Sequence, residues 1–249
     1  MPIAKILLSS LPAARQHELF FPRGIFMFNS EFSFRGILFD MDGLLIDSER
    51  LSYESFCSTA STYDVSVTME DYRQMIGLNH VTGLGILADI LPDSIDPVVF
   101  KDNWLLAYRA LFKDDVPLKD GAYPLLAHLH EIDMPVAVAT SSSGSRARTT
   151  LEKVGLWQFI QHLTGGDEVT NGKPAPDVYL DAATKLGINP QDCVAFEDSE
   201  NGTNAAIAAG IRVIQVPDLA PAMRPANPPH HQIASNLLDG AALIGIKLA

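Results

Sequence analysis

Four short runs in this chain are apolar from end to end or nearly so: Ile37-Leu38-Phe39, "VAVA" from Val136, "CVAF" from Cys193 and "RVIQVP" from Arg212. None alternates polar with apolar residues, as a strand with one wet face does, so each reads as a strand covered on both sides. Between them lie segments with helical spacing. "SERLSYESFCSTAS" brings Leu51, Phe56 and Ala60 to one side, with Ser48 as its expected N-cap. "GAYPLLAHLHEI" and "GSRARTTLEKVG" also read as helices. So does "PDVYLDAATKLG", entered through Pro176 and ended at Gly187, and "ENGTNAAIAAG", ended by Gly210. Strands buried on both faces and alternating with helices predict an α/β fold, a doubly wound, Rossmann-like parallel sheet.

One block breaks that rhythm. Residues from about 68 to 115 read as helix throughout ("MEDYRQMI", "VTGLGILADIL", "DPVVFKDNWLLAYRALF"), with punctuation at Gly77, Pro92 and Pro97. Coming after a single strand, it is expected to be an inserted small all-helical domain, spanning 49–116 and dividing the α/β core into 34–48 and 117–249. Residues 1–33 are expected to form a poorly ordered extension, the working protein beginning near Met27; Pro12 and Arg15 interrupt what would otherwise resemble a signal peptide. "DLAPAMRPANPP" is expected to be a surface loop. At 249 residues, 47% of them hydrophobic, the chain can bury a sizeable core. Its formal charge of −12 disfavours nucleic acid and anionic membranes as partners. Cys57 and Cys193 stand far apart in no metal-ligand spacing, as reduced thiols in a cytoplasmic protein would; a monomer is expected.

Ligands of open parallel sheets sit at the carboxyl ends of the strands. The polar residues there are Asp40 and Asp42 in "FDMDGLLIDSE", Thr140, Ser141 and Ser142 after "VAVA", and Glu197 and Asp198 after "CVAF". Lys173 in "NGKPAPD" precedes a helix. Each group alone reads as a turn or a helix cap. If the ends converge, four carboxylates share a partly buried site, which requires a compensating cation. All-oxygen ligation suits Mg²⁺.

Together and in this order, the four segments resemble the motifs of the haloacid dehalogenase-like hydrolases, in the branch with a small helical cap after the first motif. The resemblance extends over about residues 35 to 240, and is nearest to sugar-phosphate and nucleotide-like phosphatases, including pseudouridine-5′-phosphatase. It implies a phosphatase acting on a small phosphorylated metabolite. Asp40 would be the nucleophile that becomes an aspartyl phosphate, and Asp42 the general acid and then the base. Thr140 would hydrogen-bond the transferring phosphoryl group, with help around Ser141 and Ser142, and Lys173 would neutralise charge. Mg²⁺ would be held by Glu197, Asp198, a carboxylate oxygen of Asp40 and the backbone carbonyl of Asp42. A carboxylate approaching a phosphate dianion meets two repulsions, each on the order of 4 kcal/mol at ~4 Å and an effective dielectric of ~20. One divalent ion and one lysine reverse that sign.

In such relatives the cap carries specificity. "QMIGLNHVTGL" occupies the position of the recognition loop, making Asn79 and His80 the expected substrate-recognition residues. Beta-phosphoglucomutase-like relatives carry an arginine near His80 and a histidine where this chain has Ser52; both departures weigh against a phosphosugar mutase, the main alternative. A receiver-like phospho-switch, the non-enzymatic alternative, is near half this length and lacks both the helical insertion and the second aspartate.

Overall fold

A computed structural model describes residues 26–28, 32–76, 80–114, 116–220, 222 and 230–248. Six strands form one parallel sheet: β3 (Gly36–Phe39), β4 (Val136–Ala139), β5 (His162–Thr164), β6 (Cys193–Glu197), β7 (Arg212–Gln215) and β8 (His231–Ile233), in the order β5-β4-β3-β6-β7-β8. This is the expected doubly wound α/β fold. Just before it, β1 (Phe26–Phe28) pairs antiparallel with β2 (Phe32–Phe34), in a region where the sequence reading assigned no element. Residues 1–25 and 29–31, most of the expected extension, lie outside the described residues, as does most of "DLAPAMRPANPP".

The strands are apolar on both faces because both are covered. Ile37, Phe39, Val136, Val138, Val194 and Phe196 face one core layer, with α5 (Ala122–Glu131), α6 (Gly144–Lys153) and α9 (Leu237–Leu243). The alternate residues Leu38, Ala137, Ala139, Ala195 and Val213 face the other, under α7 (Asp177–Leu186) and α8 (Glu200–Ala208). The small side chains of this second set let α7 and α8 approach the sheet closely.

Between β3 and α5 run α1 (Ser48–Thr62), α2 (Met69–Arg73), α3 (His80–Ile90) and α4 (Pro97–Asp114). Phe56, Ala60, Tyr72, Leu87, Leu91 and Phe100 give these helices an apolar cluster of their own. One expectation is corrected here. Asp47, not Ser48, is the N-cap of α1, and its side chain makes no capping bond. Ser48 is already helical and buried, and the Asp47 carboxylate lies 3.6 Å from the Lys119 ammonium instead of capping the helix.

Candidate functional site

β3 lies between β4 and β6, so their carboxyl ends meet. Phe39 is in register with Val138 and Phe196, which sets Asp40 beside Glu197, with Thr140 one residue further along at the end of β4. The chain then turns sharply. The N–H groups of Leu45 and Ile46 return to the Met41 carbonyl, and Gly43 supplies the positive φ of +85° that this turn needs.

Lys173 reaches in from the loop before α7. Its ammonium is buried and donates to Asp40, to Glu197 Oε1 at 2.6 Å and to the Ala139 carbonyl at 2.9 Å. Glu197 is fully buried. Its Oε1 also accepts from Tyr179 Oη at 2.8 Å; its Oε2 accepts from the Asp198 and Ser199 N–H groups and the Ser199 hydroxyl, at 3.1, 3.2 and 3.1 Å. One ligand oxygen each from Asp40, Glu197 and Asp198 lies within 4.8 Å of the others. The structure thus brings Asp40, Lys173, Glu197 and Asp198 together.

Charge crowding is written into their protonation. Burial pushes the Asp40 carboxyl up to about 7; Lys173 opposes the shift and Glu197 adds to it. Burial, then Glu197 and Asp40, push Asp198 well above the usual carboxylate range. Burial works against the charge on Lys173, but Asp40 and Glu197 more than offset it and hold its pKa above that of a free lysine. Ionised, three carboxylates against one ammonium leave two negative charges. The donors are all hard oxygens in a buried site, so the residues fit a divalent ion such as Mg²⁺. Both oxygens of Glu197 are already engaged by five donors, whereas among the described contacts Asp198's side-chain oxygens have no donor and Asp40 has only Lys173.

Asp42 faces the other way. Its Oδ2 accepts from the Ser142 hydroxyl at 2.8 Å, and it opens onto a cavity of about 370 Å³. Ser142 and Arg146 complete the core side of that cavity; Glu49, Ser52, Trp104 and Tyr108 line it from the helical block. Thr140 is fully buried, its hydroxyl oxygen accepting from the Ser142 N–H at 3.1 Å, while Ser141 is exposed. Asn79 lies outside the described residues; His80 opens α3, but its side chain is likewise outside them. Met75 and Gly83, which flank that stretch, line the cavity.

Three neighbours escaped the sequence reading. Tyr179 sits on the buried face of α7, where its spacing marks it only as core; the sign of more is its position six residues past Lys173. Glu49 is the last residue of "FDMDGLLIDSE". Burial raises its carboxyl, and it accepts from Tyr72 Oη at 2.5 Å. Gly202 lets α8 rest against Glu197, since a Cβ there would overlap the carboxylate. Gly202→Ala is therefore expected to displace Glu197 from its five donors and destabilise the protein by about 1–3 kcal/mol. Urea denaturation at constant m-value checks this; an unchanged midpoint would mean that Glu197 moves aside without cost.

Residues 37–216 match the haloacid dehalogenase-like hydrolase family. The chain belongs to that family. It is an enzyme, a hydrolase of phosphoric monoesters, as its relatives are named. It is 35% identical over 190 residues, covering 73% of this chain and 80% of the other, to a Drosophila melanogaster protein named "Probable pseudouridine-5'-phosphatase". It is 32% identical over 180 residues, 72% of this chain and 82% of the other, to the phosphorylated carbohydrates phosphatase of Thermotoga maritima. The fold is similar to that of CbbY from Rhodobacter sphaeroides, solved in complex with phosphate, with a TM-score of 0.63 and 26% identity over 85% of this chain and 99% of that one. In this hydrolase Asp40 belongs to the acidic cluster, and Asp42, two residues further along, opens onto the cavity. No helix of the described residues is long and apolar enough to cross a membrane.

Proposed function

We propose that this hydrolase is a magnesium-dependent phosphomonoesterase, cytoplasmic in its site of action, that cleaves a small phosphorylated metabolite through an aspartyl phosphate on Asp40. The observation that carries the reading is the buried Lys173 ammonium shared by Asp40 and Glu197, with Asp198 beside them. The metabolite class comes from relatives named for pseudouridine-5′-phosphate and phosphorylated carbohydrates.

Asp40 attacks phosphorus. Lys173 steadies its charge during the approach and keeps Asp40 from turning away from the cavity. Asp42 protonates the leaving oxygen and then takes a proton from the attacking water; its carboxylate borders the cavity and is steadied by Ser142. Thr140 and the backbone around Ser141 and Ser142 bind the phosphoryl oxygens. Asp40 and Asp198, with the Asp42 carbonyl, hold Mg²⁺, while Glu197 orients Lys173 and stays close enough to join them. When bound, the ion supplies the positive charge that lets a carboxylate approach a phosphate dianion. Helices of segment 49–116 act as a cap, and Asn79 and His80 meet the part of the substrate that does not react.

Hydrolysis of p-nitrophenyl phosphate, stopped by EDTA and restored by Mg²⁺, tests this reading, and a panel of phosphorylated metabolites then ranks substrates. Full turnover in the chelated enzyme would overturn it. Conversion of beta-glucose 1-phosphate to glucose 6-phosphate, primed by a trace of the bisphosphate, would point to a mutase instead.

Proton and metal compete for the same oxygens. Since Asp40 takes up a proton near pH 7 in the metal-free protein, Mg²⁺ binding should release it. Apparent Mg²⁺ affinity is expected to fall as pH drops through 7, by about tenfold or more per pH unit, because the proton on the raised Asp198 carboxyl competes with the ion as well. Calorimetric titration at pH 5.5, 6.5 and 7.5, in two buffers of different ionisation enthalpy, measures both affinity and protons released. An affinity independent of pH would remove Asp40 from the ligand set.

A further inference from the structure

Asp218 follows β7 in "VPD", outside the four segments that define the site. Its Oδ1 accepts from Lys119 Nζ at 2.6 Å, and the same ammonium lies 3.6 Å from Asp47 Oδ1. Its Oδ2 is buried and has no hydrogen-bond partner among the described residues, and the side chain as a whole is only 9% exposed. An unpartnered buried acceptor costs about 1–3 kcal/mol, so a chain that retains one calls for a missing donor.

The direction of that oxygen says where the donor belongs. A Cβ on Gly43 would lie 3.5 Å from Asp218 Oδ2 and 2.5 Å from Asp198 Oδ2. The two carboxylate oxygens, from the ends of adjacent strands, therefore converge on the bare face of Gly43, at most about 6 Å apart. Beyond its positive φ, Gly43 has a second reason to be glycine: any side chain would intrude between them. Two carboxylates facing one gap need something positive or hydrogen-bond-donating there. Magnesium keeps several of its waters. At bond lengths of ~2.1 Å an octahedral ion sets neighbouring oxygens about 3 Å apart, and a hydrogen bond from water to carboxylate adds about 2.7 Å. Laid end to end, these steps come to about 5.7 Å, within that upper limit.

We propose that Asp218 is a positioning residue for the metal. Its Oδ2 accepts a hydrogen bond from a water on the ion held by Asp40 and Asp198, and Lys119 fixes its other oxygen. The inference rests on the magnesium reading above. It makes the loop after β7 part of the metal site and ties that site, through Lys119 and Asp47, to the start of α1.

The test is Mg²⁺ binding to the full chain by isothermal titration calorimetry, with melting in EDTA as the control for folding. Asp218→Asn keeps the shape and loses the charge. It is expected to weaken Mg²⁺ binding by about 10- to 100-fold, the usual effect of losing an outer partner of a metal site. Its melting temperature in EDTA should stay near that of the parent, because the amide oxygen still accepts from Lys119 and the oxygen without a donor is gone. Lys119→Met frees Asp218 from its anchor but leaves the carboxylate and removes a cation, so it is expected to weaken Mg²⁺ binding by less than Asp218→Asn does. If both variants lose affinity alike, the ion pair matters and Oδ2 does not, which overturns the proposal. So does unchanged affinity in Asp218→Asn while the parent binds Mg²⁺. If Asp218→Asn does not fold, Asp218→Ser, which cannot overpack the gap, is judged by the same criteria. A parent chain that binds no Mg²⁺ would sink the magnesium reading and this inference together.

Discussion

Asp40→Asn is expected to lower kcat by roughly 10⁴- to 10⁶-fold while leaving the protein folded, the cost of losing a nucleophile whose partners cannot act without it. The amide keeps the shape of the carboxylate but cannot form the acyl phosphate. The same change has the opposite consequence for stability. In the metal-free protein Asp40 has a raised pKa, about 7 against an ordinary 3.8, caused first by burial. A carboxyl that binds its proton more tightly in the folded state contributes stability below the unfolded pKa, and that contribution is lost as pH rises through the folded one. Metal-free parent enzyme should thus lose stability between about pH 4 and pH 7. Asp40→Asn lacks this titration, so in EDTA at pH 8 it should melt at or above the parent temperature. Urea midpoints across that pH range, beside kcat on p-nitrophenyl phosphate, check both halves. A folded Asp40→Asn that keeps near-parent turnover would refute the assignment of Asp40 as the nucleophile.

The second large effect is on the fold itself. Lys173→Met removes the one cation among the described residues that touches both Asp40 and Glu197. Methionine is close in shape to the lysine stem, but Glu197 is fully buried and would be left with one donor fewer. Breaking a buried ion pair from one side costs about 3–5 kcal/mol, because the surviving charge has nowhere to be solvated. A loss of that size in EDTA, partly recovered on adding Mg²⁺, is the expected outcome of denaturant titrations. Recovery is expected because the ion would supply positive charge to the same carboxylates. A loss that Mg²⁺ does not touch would separate Lys173 from the metal site. Turnover should fall with it, since Lys173 also steadies Asp40 during attack.

How far the sequence carries depends on how each element is covered. The central strands β3, β4, β6 and β7 are apolar on both faces, and that pattern is visible in one chain. The edge strands are not: "HLT" and "HQI", the strands β5 and β8, carry histidine and glutamine and run for three residues, because an edge has one neighbour and partial cover. Strand-end acids are legible for the same reason as the strands. Asp40, Asp42, Glu197 and Asp198 stand where an apolar run stops, and Lys173 is flagged by its loop. Asp218 sits in an equivalent place after β7, but it merges into a Pro-rich stretch that reads as surface. Tyr179 and Gly202 act through close packing on Glu197, which depends on how α7 and α8 lie on the sheet and leaves no periodic trace. The Ser48 expectation failed by one residue: N-cap preference is a local rule, and the Asp47 carboxylate lies beside Lys119, some seventy positions away, instead of capping the helix.

The central claim is that phosphorus passes through Asp40. The most direct measurement uses Asp42→Asn, mixed rapidly with p-nitrophenyl phosphate and Mg²⁺, quenched in acid and analysed by peptide mass spectrometry. Nitrophenolate leaves without needing a proton, whereas the next step needs Asp42 to activate water. The account predicts a burst of nitrophenolate close to one equivalent per enzyme, then near-arrest, with a phosphoryl group on the peptide carrying Asp40. Steady turnover with no burst and an unmodified Asp40, or a phosphoryl group on any other residue, would contradict it.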